Sequence, residues 1–212
     1  MLFGLYGAAG YGREVMPLLR AQLPENAEAV FIDDGDTPPY VNGHRCLAWR
    51  AFLAGPGKER AVCLAIADGA VRARLAQTCA DADIGFCSVR AANVEIMDDV
   101  QIGEGAILSP FVTLTSNIRI GRHFHANIYS YVAHDCVIGD FVTFAPAVKC
   151  NGNVVVEDHA YIGTGAILRQ GRPGAPLTIG RGAVVGMGAV VTKDVPPGVT
   201  VMGNPARAMR GR

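Results

Sequence analysis

The sequence predicts two linked architectures: a small α/β domain with a Rossmann-like parallel sheet over residues 1–87, then an all-β parallel β-helix over residues 88–212. Three observations carry this. An apolar beat recurs every six residues, thirteen times without a slip, between Val94 and Gly171. The N-terminal part alternates short apolar strands with helical segments, and its first strand ends in a Gly-rich turn. Half of the 212 residues are hydrophobic, with 26 Gly and only 18% charged residues, a composition suited to a turn-rich, buried β core.

Leu2 to Ala8 reads as the first strand, running into Gly7-Ala8-Ala9-Gly10-Tyr11-Gly12-Arg13. A helix follows from about Gly12 to Gln22, with Val15, Leu18, Leu19 and Leu23 on one side and Pro17 in its first turns, where the missing N–H is tolerated. Ala29 to Ile32 is a second strand. It ends at Asp33-Asp34, where the C-terminal end of a parallel strand meets ligands. Val41-Asn42-Gly43-His44 carries an Asn-Gly hairpin signal, and Trp49 to Leu53 a short helix. Arg60 to Ala67 is a third strand, Gly69 to Cys79 a helix with Val71, Leu75 and Ala76 facing in, and Ile84 to Val89 a fourth strand. Strand–helix–strand order implies a parallel sheet.

The first turn reads G-x-x-G-x-G rather than the dinucleotide pattern. A turn of this kind, opening a helix, offers unpaired N–H groups to a phosphate. It is equally a plain strand-to-helix connection. Asp33 and Asp34 can accept hydrogen bonds from a ribose or base, or sit in a solvated turn.

A period of six fits no amphipathic helix, whose apolar stripe recurs at three and four. It fits one short strand plus one sharp corner, and three such units make an eighteen-residue coil whose inward residues stack in columns. Inward positions include Ile102, Leu108, Leu114, Val132, Ile138, Val156 and Ile162, each followed four residues later by a second one such as Val112, Cys136 or Val142. Corner backbone with φ > 0 is expected at Gly103, Gly105, Gly121, Gly139, Asn151, Gly152, Gly163 and Gly165. Stacking at eighteen places Ser116 below His134 and Gly152 above it. The insertion Arg172–Pro176 should bulge from a corner, as a groove wall, a subunit contact or a bare surface loop, before the beat resumes at Ile179, Val185 and Val191. Asn204-Pro205 should end the solenoid.

The formal net charge is zero and no basic patch stands out, which argues against nucleic acid as a partner. No apolar run approaches the ~20 residues of a membrane-spanning helix. The apolar N-terminus lacks a basic flank and reads as a strand rather than a signal peptide. Six Cys without a C-x-x-C pair suit reduced, buried thiols in the cytoplasm, with Cys136 and Cys150 on the inward columns. His123 to His134 and His134 to His159 are not separated by multiples of six. The histidines are therefore expected on different columns, and no metal is expected.

Both halves together, on the motifs Tyr6-Gly7-Ala8-Ala9-Gly10-Tyr11-Gly12-Arg13, Phe31-Ile32-Asp33-Asp34, Val132-Ala133-His134-Asp135-Cys136-Val137-Ile138-Gly139, Lys149-Cys150-Asn151-Gly152-Asn153, Ile162-Gly163-Thr164-Gly165 and Gly203-Asn204-Pro205-Ala206-Arg207, resemble the hexapeptide-repeat sugar acyltransferases over nearly the whole chain. That family includes bacillosamine- and perosamine-type N-acetyltransferases and sialic-acid O-acetyltransferase-like proteins. The resemblance implies a left-handed β-helix, a homotrimer with active sites between subunits, and acetyl transfer from acetyl-CoA to the amine of a nucleotide-linked amino sugar. It implies His134 as general base and Gly152 as the N–H donor to the thioester carbonyl. Asp135 could orient the ring, although neighbours in a strand face opposite ways.

The same resemblance puts Gly7, Ala9, Gly10, Tyr11, Gly12, Arg13, Asp33 and Asp34 on the nucleotide-sugar side. Tyr11 and Arg13 stand where the family often has His and Lys, which leaves the sugar and nucleotide open, UDP ranked ahead of GDP or dTDP. Gly186, Gly188 and Ala189 are small enough to admit pantetheine, and Lys193, Arg207 and Arg210 could meet phosphates or simply be solvated. Two other readings stay open: O-acetylation of a sialic-acid-like sugar, and a non-catalytic trimeric scaffold that binds a nucleotide sugar.

Overall fold

The computed structural model describes residues 1–55 and 59–209. The N-terminal half runs β1 (Leu2–Tyr6), α1 (Gly10–Ala21), β2 (Glu28–Ile32), β3 (Tyr40–Val41), β4 (His44–Leu47), α2 (Trp49–Ala54), β5 (Arg60–Leu64), α3 (Gly69–Asp81) and β6 (Gly85–Phe86). The sheet order is β3-β4-β2-β1-β5-β6, parallel except for the β3–β4 hairpin. That hairpin turns at Asn42 and Gly43, both with positive φ.

Two sequence expectations shift here. α1 begins at Gly10, so Pro17 lies in the helix interior rather than its first turns. It is tolerated because it faces solvent, where water can serve the Arg13 carbonyl that the missing N–H leaves unbonded. The expected fourth strand, Ile84–Val89, is two: Gly85–Phe86 completes the α/β sheet, and Val89–Arg90 opens the solenoid.

The solenoid has three faces of short parallel strands. The first face runs from Val89–Arg90 to Thr200–Met202, the second from Glu95–Ile96 to Val190–Val191, and the third from Val100–Ile102 to Leu177–Ile179. Partners are eighteen residues apart, as in Tyr131↔Lys149. Beyond the insertion the register becomes Val154↔Leu177, so Arg172–Pro176 is absorbed as a bulge closed by paired hydrogen bonds between Arg172 and Ala175. Arg207–Ala208 folds back antiparallel on the last coil and covers its edge. The inward columns are as the beat predicts: Leu114, Val132, Ile138, Cys150, Val156, Ile162, Leu168, Ile179, Val185 and Val191 are buried in one continuous core. The core is part-covered at its ends, at Ile96, Val100 and Ile102 in the opening coils and at Val199 and Ala206 in the last.

Of the expected corner positions, Gly105 (φ 70°) and Gly165 (φ 69°) have positive φ, while Gly103, Gly121, Gly139, Asn151, Gly152 and Gly163 do not. Positive φ recurs three residues after the inward position, and mostly in other residue types: Asp99, Phe111, Asn117, His123, Tyr129, Asp135, Phe141, Ala147, Asn153 and His159, with φ of 52–64°. Each such non-Gly residue costs on the order of 1–2 kcal/mol, offset by the hydrogen bonds and burial that coil stacking provides. Gly103, Gly121, Gly139 and Gly163 are needed for another reason. A Cβ there would lie 2.6–2.7 Å from a backbone nitrogen of the next coil. They allow close approach between coils, not an unusual φ.

Arg72 joins the halves. Helix α3 was expected to bury Val71, Leu75 and Ala76; it buries Arg72, Ala76 and Cys79, with Val71 and Leu75 half-covered. The reason is that α3 is roofed by the solenoid as well as the sheet. The Arg72 guanidinium, fully buried, donates to the carbonyls of Ile66, Ala67, His123, Phe141 and Val142. Burial lowers its pKa to about 10. Alongside it, His123, Phe141 and His159 stack in one corner column, with ring centroids 5.0 and 5.3 Å apart. His123 and His159 do share a column, contrary to expectation: they are two coils apart, with Phe141 between them. Among the described residues, no helix is long and apolar enough to cross a membrane.

Candidate active site

His134 sits at the corner between the second and third faces, two residues beyond the inward Val132. Its half-exposed ring places Nδ1 2.7 Å from Asp135 Oδ2. Alternation along a strand would have turned these neighbours apart. Asp135 is not in a strand, however: its φ of 58° swings the carboxylate back to the ring. Asn117, one coil below, donates to the other oxygen of Asp135 at 3.3 Å. The hydrogen bond with His134 holds the Asp135 carboxyl below the usual carboxylate range. With Nδ1–H donated to the carboxylate, Nε2 carries the lone pair, on the edge of the ring that meets Gly152, and is the atom able to take a proton.

Gly152 lies one coil above. A Cβ there would come within 2.5 Å of His134 Cε1 and Nε2. Its φ is not positive, so glycine at this position serves space for the ring rather than backbone conformation. Its N–H donates to no carbonyl among the described residues, so it remains a backbone donor one coil above the ring. The Arg172–Pro176 bulge grows from the same column, tied down by Gly171 N–H to Gly152 O at 2.9 Å.

The Gly-rich turn forms a second centre. Gly7 has φ 105°, and a Cβ on Gly12 would stand 1.9 Å from Gly7 O, so both glycines are dictated by the tight entry into α1. Among the described residues, no side chain caps the first turn of α1. Asp33 accepts from Ala8 N–H at 3.0 Å and Gly35 N–H at 2.9 Å. Asp34 accepts from the Tyr6 hydroxyl and, at 2.8 Å, from Trp49 N–H. Both carboxylates thus shape the turn. Ala9 and Arg13 are exposed beside it.

Gly10 and Tyr11 line a cavity of about 220 Å³ closed from the solenoid side by His125, Asn127, Thr143 and Thr164. Thr143 also donates to Ala67 O at 2.8 Å, fixing one wall to the other. Asn127, Thr143 and Thr164 were missed in the sequence. The available signal was their place: His125, Thr143 and Tyr161 are outward positions eighteen apart on the face that α1 covers.

The remaining candidates divide. Gly186 and Gly188 (φ 66°) lie at the end of a first-face strand and the corner after it. Ala189 is fully buried in the solenoid core and does not face a groove, a correction that follows from its place four residues after Val185. Lys193 and Arg207 meet at a cavity of about 310 Å³ at the C-terminal end of the solenoid. Arg210 lies outside the described residues. Among the described residues, no three His, Cys, Asp or Glu side chains converge as a metal site.

No family profile matches the chain. A GDP-perosamine N-acetyltransferase of Escherichia coli O157:H7 is 50% identical over 99% of this chain and 96% of its own length. The solved structure of WeeI from Acinetobacter baumannii AYE superposes with a TM-score of 0.96 at 55% identity, covering 99% of this chain and all of that one. PerB from Caulobacter crescentus, solved with CoA and GDP-perosamine, superposes with a TM-score of 0.86 at 26% identity, covering 98% of this chain and 97% of that one. An α/β half and a six-residue β-helix matched end to end by such relatives leave one assignment: the chain belongs to the hexapeptide-repeat sugar acyltransferases, and it is an acetyltransferase of that family.

Proposed function

We propose that the protein transfers acetyl from acetyl-CoA to the amine of a GDP-linked amino sugar of the perosamine type. The observation that carries the chemistry is the grouping of His134, Asp135 and Gly152 at one corner. The amine lone pair attacks the thioester carbonyl. The Gly152 N–H receives the developing oxyanion, and His134 Nε2 takes the proton that nitrogen sheds. The C–S bond then breaks, and the thiolate of CoA leaves and is protonated. A thioester is already activated, so no protein nucleophile is needed. Asp135 keeps the ring oriented. The expected preference for UDP gives way to GDP, because relatives at 50% and 26% identity carry GDP-perosamine in their names or complexes.

The acceptor enters along the Gly-rich turn, with Gly7, Ala9, Gly10, Tyr11, Gly12 and Arg13 on its path and Asp33 and Asp34 bracing that turn. Gly186, Gly188, Lys193 and Arg207 lie on the donor side. His134 and the cavity at Tyr11 stand at different corners of the prism. Asn127, in the cavity wall, and His134 are seven residues apart along one coil, with the Tyr129 corner between them. A second copy bringing its His134 to this cavity closes the gap, and a homotrimer does so three times. The cysteines are free, which fits a cytoplasmic enzyme working where both substrates are made.

The test is thiol release from acetyl-CoA with GDP-, UDP- and dTDP-linked 4-amino sugars. Turnover is expected with the GDP sugar, at a kcat/KM at least tenfold above the others. Equal rates, or a preference for UDP, would overturn the nucleotide assignment.

A further inference from the structure

The second inward position of each solenoid unit, four residues after the first, is apolar from Val100 to Ala166 with two interruptions, Ser130 and Cys136. Both are buried, and both side chains carry a hydrogen to donate. Ser130 Oγ donates to Ala145 O at 3.0 Å, and Cys136 Sγ lies 3.2 Å from Asn151 O. In each case the acceptor is the carbonyl fifteen residues on. Both carbonyls stand behind a functional centre: Ala145 lines the cavity at Tyr11, and Asn151 precedes Gly152. The coils around Cys136 carry Val100, Ile118 and Val154 in the same column, none of which can donate.

The consequence for Gly152 follows from the peptide plane. Asn151 O accepts no backbone N–H among the described residues. It faces the buried sulfurs, Cys136 at 3.2 Å and Cys150 at 3.9 Å. Cys136 Sγ also lies 3.7 Å from His134 O, but that oxygen already accepts Asn153 N–H at 3.0 Å. The one thiol hydrogen of Cys136 therefore belongs to Asn151 O. The Cys150 thiol draws the Cys136 pKa below the usual thiol value, against burial. An ionised sulfur would face two carbonyl oxygens, so the thiol is the form that fits. A planar trans peptide points its C=O and N–H in opposite directions. Drawing Asn151 O into the core thus turns the Gly152 N–H away from it. On the outer side, Tyr131 OH donates to Asn151 Oδ1 at 2.9 Å, and Asn151 Nδ2 donates to Leu168 O at 2.7 Å. The peptide is held from within and from without.

We propose that Cys136 is a positioning residue for acetyl transfer, its thiol fixing the Asn151–Gly152 peptide so that the Gly152 N–H is presented to the oxyanion. This role rests on the Gly152 reading above and adds to it a residue that touches neither substrate. An oxyanion donor works through a direction fixed in advance, because it then need not reorganise as charge develops. A single weak S–H donor changes that aim more than it changes stability.

The experiment compares Cys136→Ala, Cys136→Ser and Cys136→Val with wild-type protein, by steady-state thiol release from acetyl-CoA with GDP-perosamine and by thermal unfolding. Ala and Ser are close in size, and only Ser can donate, as Ser130 does at the equivalent place. Val is larger than Cys, cannot donate, and matches its column neighbours. Ala and Val are each expected to lower kcat ~10-fold, part of the ~10²–10³-fold that loss of an oxyanion donor costs, with both KM values within about twofold of wild type. Ser is expected to hold kcat within about threefold, since its hydroxyl replaces the donor. Full kcat in either Ala or Val overturns the proposal. So does equal loss in Ala and Ser, or loss that tracks melting temperature across the three variants, because either pattern marks Cys136 as packing alone. Should Val fail to fold, Ala against Ser carries the comparison. If the wild-type protein releases no thiol with any amino sugar, or Gly152→Ala keeps full activity, the underlying reading has failed instead, and this role falls with it.

Discussion

Replacing His134 with Ala is expected to lower kcat by ~10²–10⁴-fold, the usual contribution of a positioned general base. The KM for acetyl-CoA should change little. The ring is half exposed and its corner is held by backbone hydrogen bonds, Asp135 N–H to Ser116 O and Asn153 N–H to His134 O, which the substitution leaves in place. Stability should therefore stay within ~0.5 kcal/mol of wild type. Raising the pH should restore part of the lost rate, because the fraction of acceptor amine carrying a free lone pair grows. A hydroxyl acceptor would not recover in this way. Steady-state thiol release across pH, for both proteins, checks the loss and the recovery together. A loss below threefold at neutral pH would remove His134 from the chemistry.

Gly152→Ala is the second large effect. The added methyl would sit 2.5 Å from the His134 ring. The ring is the movable party, being at the surface, so it must rotate off Asp135 and away from the Gly152 N–H. The expected outcome is a drop in kcat of ~10²-fold or more with a melting temperature near that of wild type, since misplacement by about 1 Å at a reacting centre costs this much. Thermal unfolding and initial rates on the same preparation separate the two readouts. Full activity would mean that neither the ring position nor the donor beside it matters to the reaction.

How far the sequence reveals all this varies with the kind of interaction involved. The solenoid core was legible because its signal is periodic: Val132, Cys150 and Leu168 follow from counting alone. The pairing of His134 with Asp135 was not, since strand alternation does not apply to a residue at φ 58°. That positive-φ position recurs through the solenoid in His, Phe, Tyr and Asp as well as Asn, so residue type does not announce it. Arg72 was invisible for a different reason: a charged residue on an amphipathic helix normally faces water, and only the docking of the two halves turns its surroundings into a cage of carbonyls. The cavity at His125 shares that origin, because its walls come from α1 and from three successive coils. Gly152 could be placed by counting eighteen from His134, but whether it served φ or space needed coordinates.

The measurement that bears most directly on the central claim uses acetyl-CoA labelled with carbon-13 at the carbonyl, GDP-perosamine and the wild-type protein, followed by NMR. The account requires the label to appear as an amide carbonyl on the sugar nitrogen, one amide for each free thiol of CoA released. Label in an ester, thiol release without amide, or no transfer at all would contradict it.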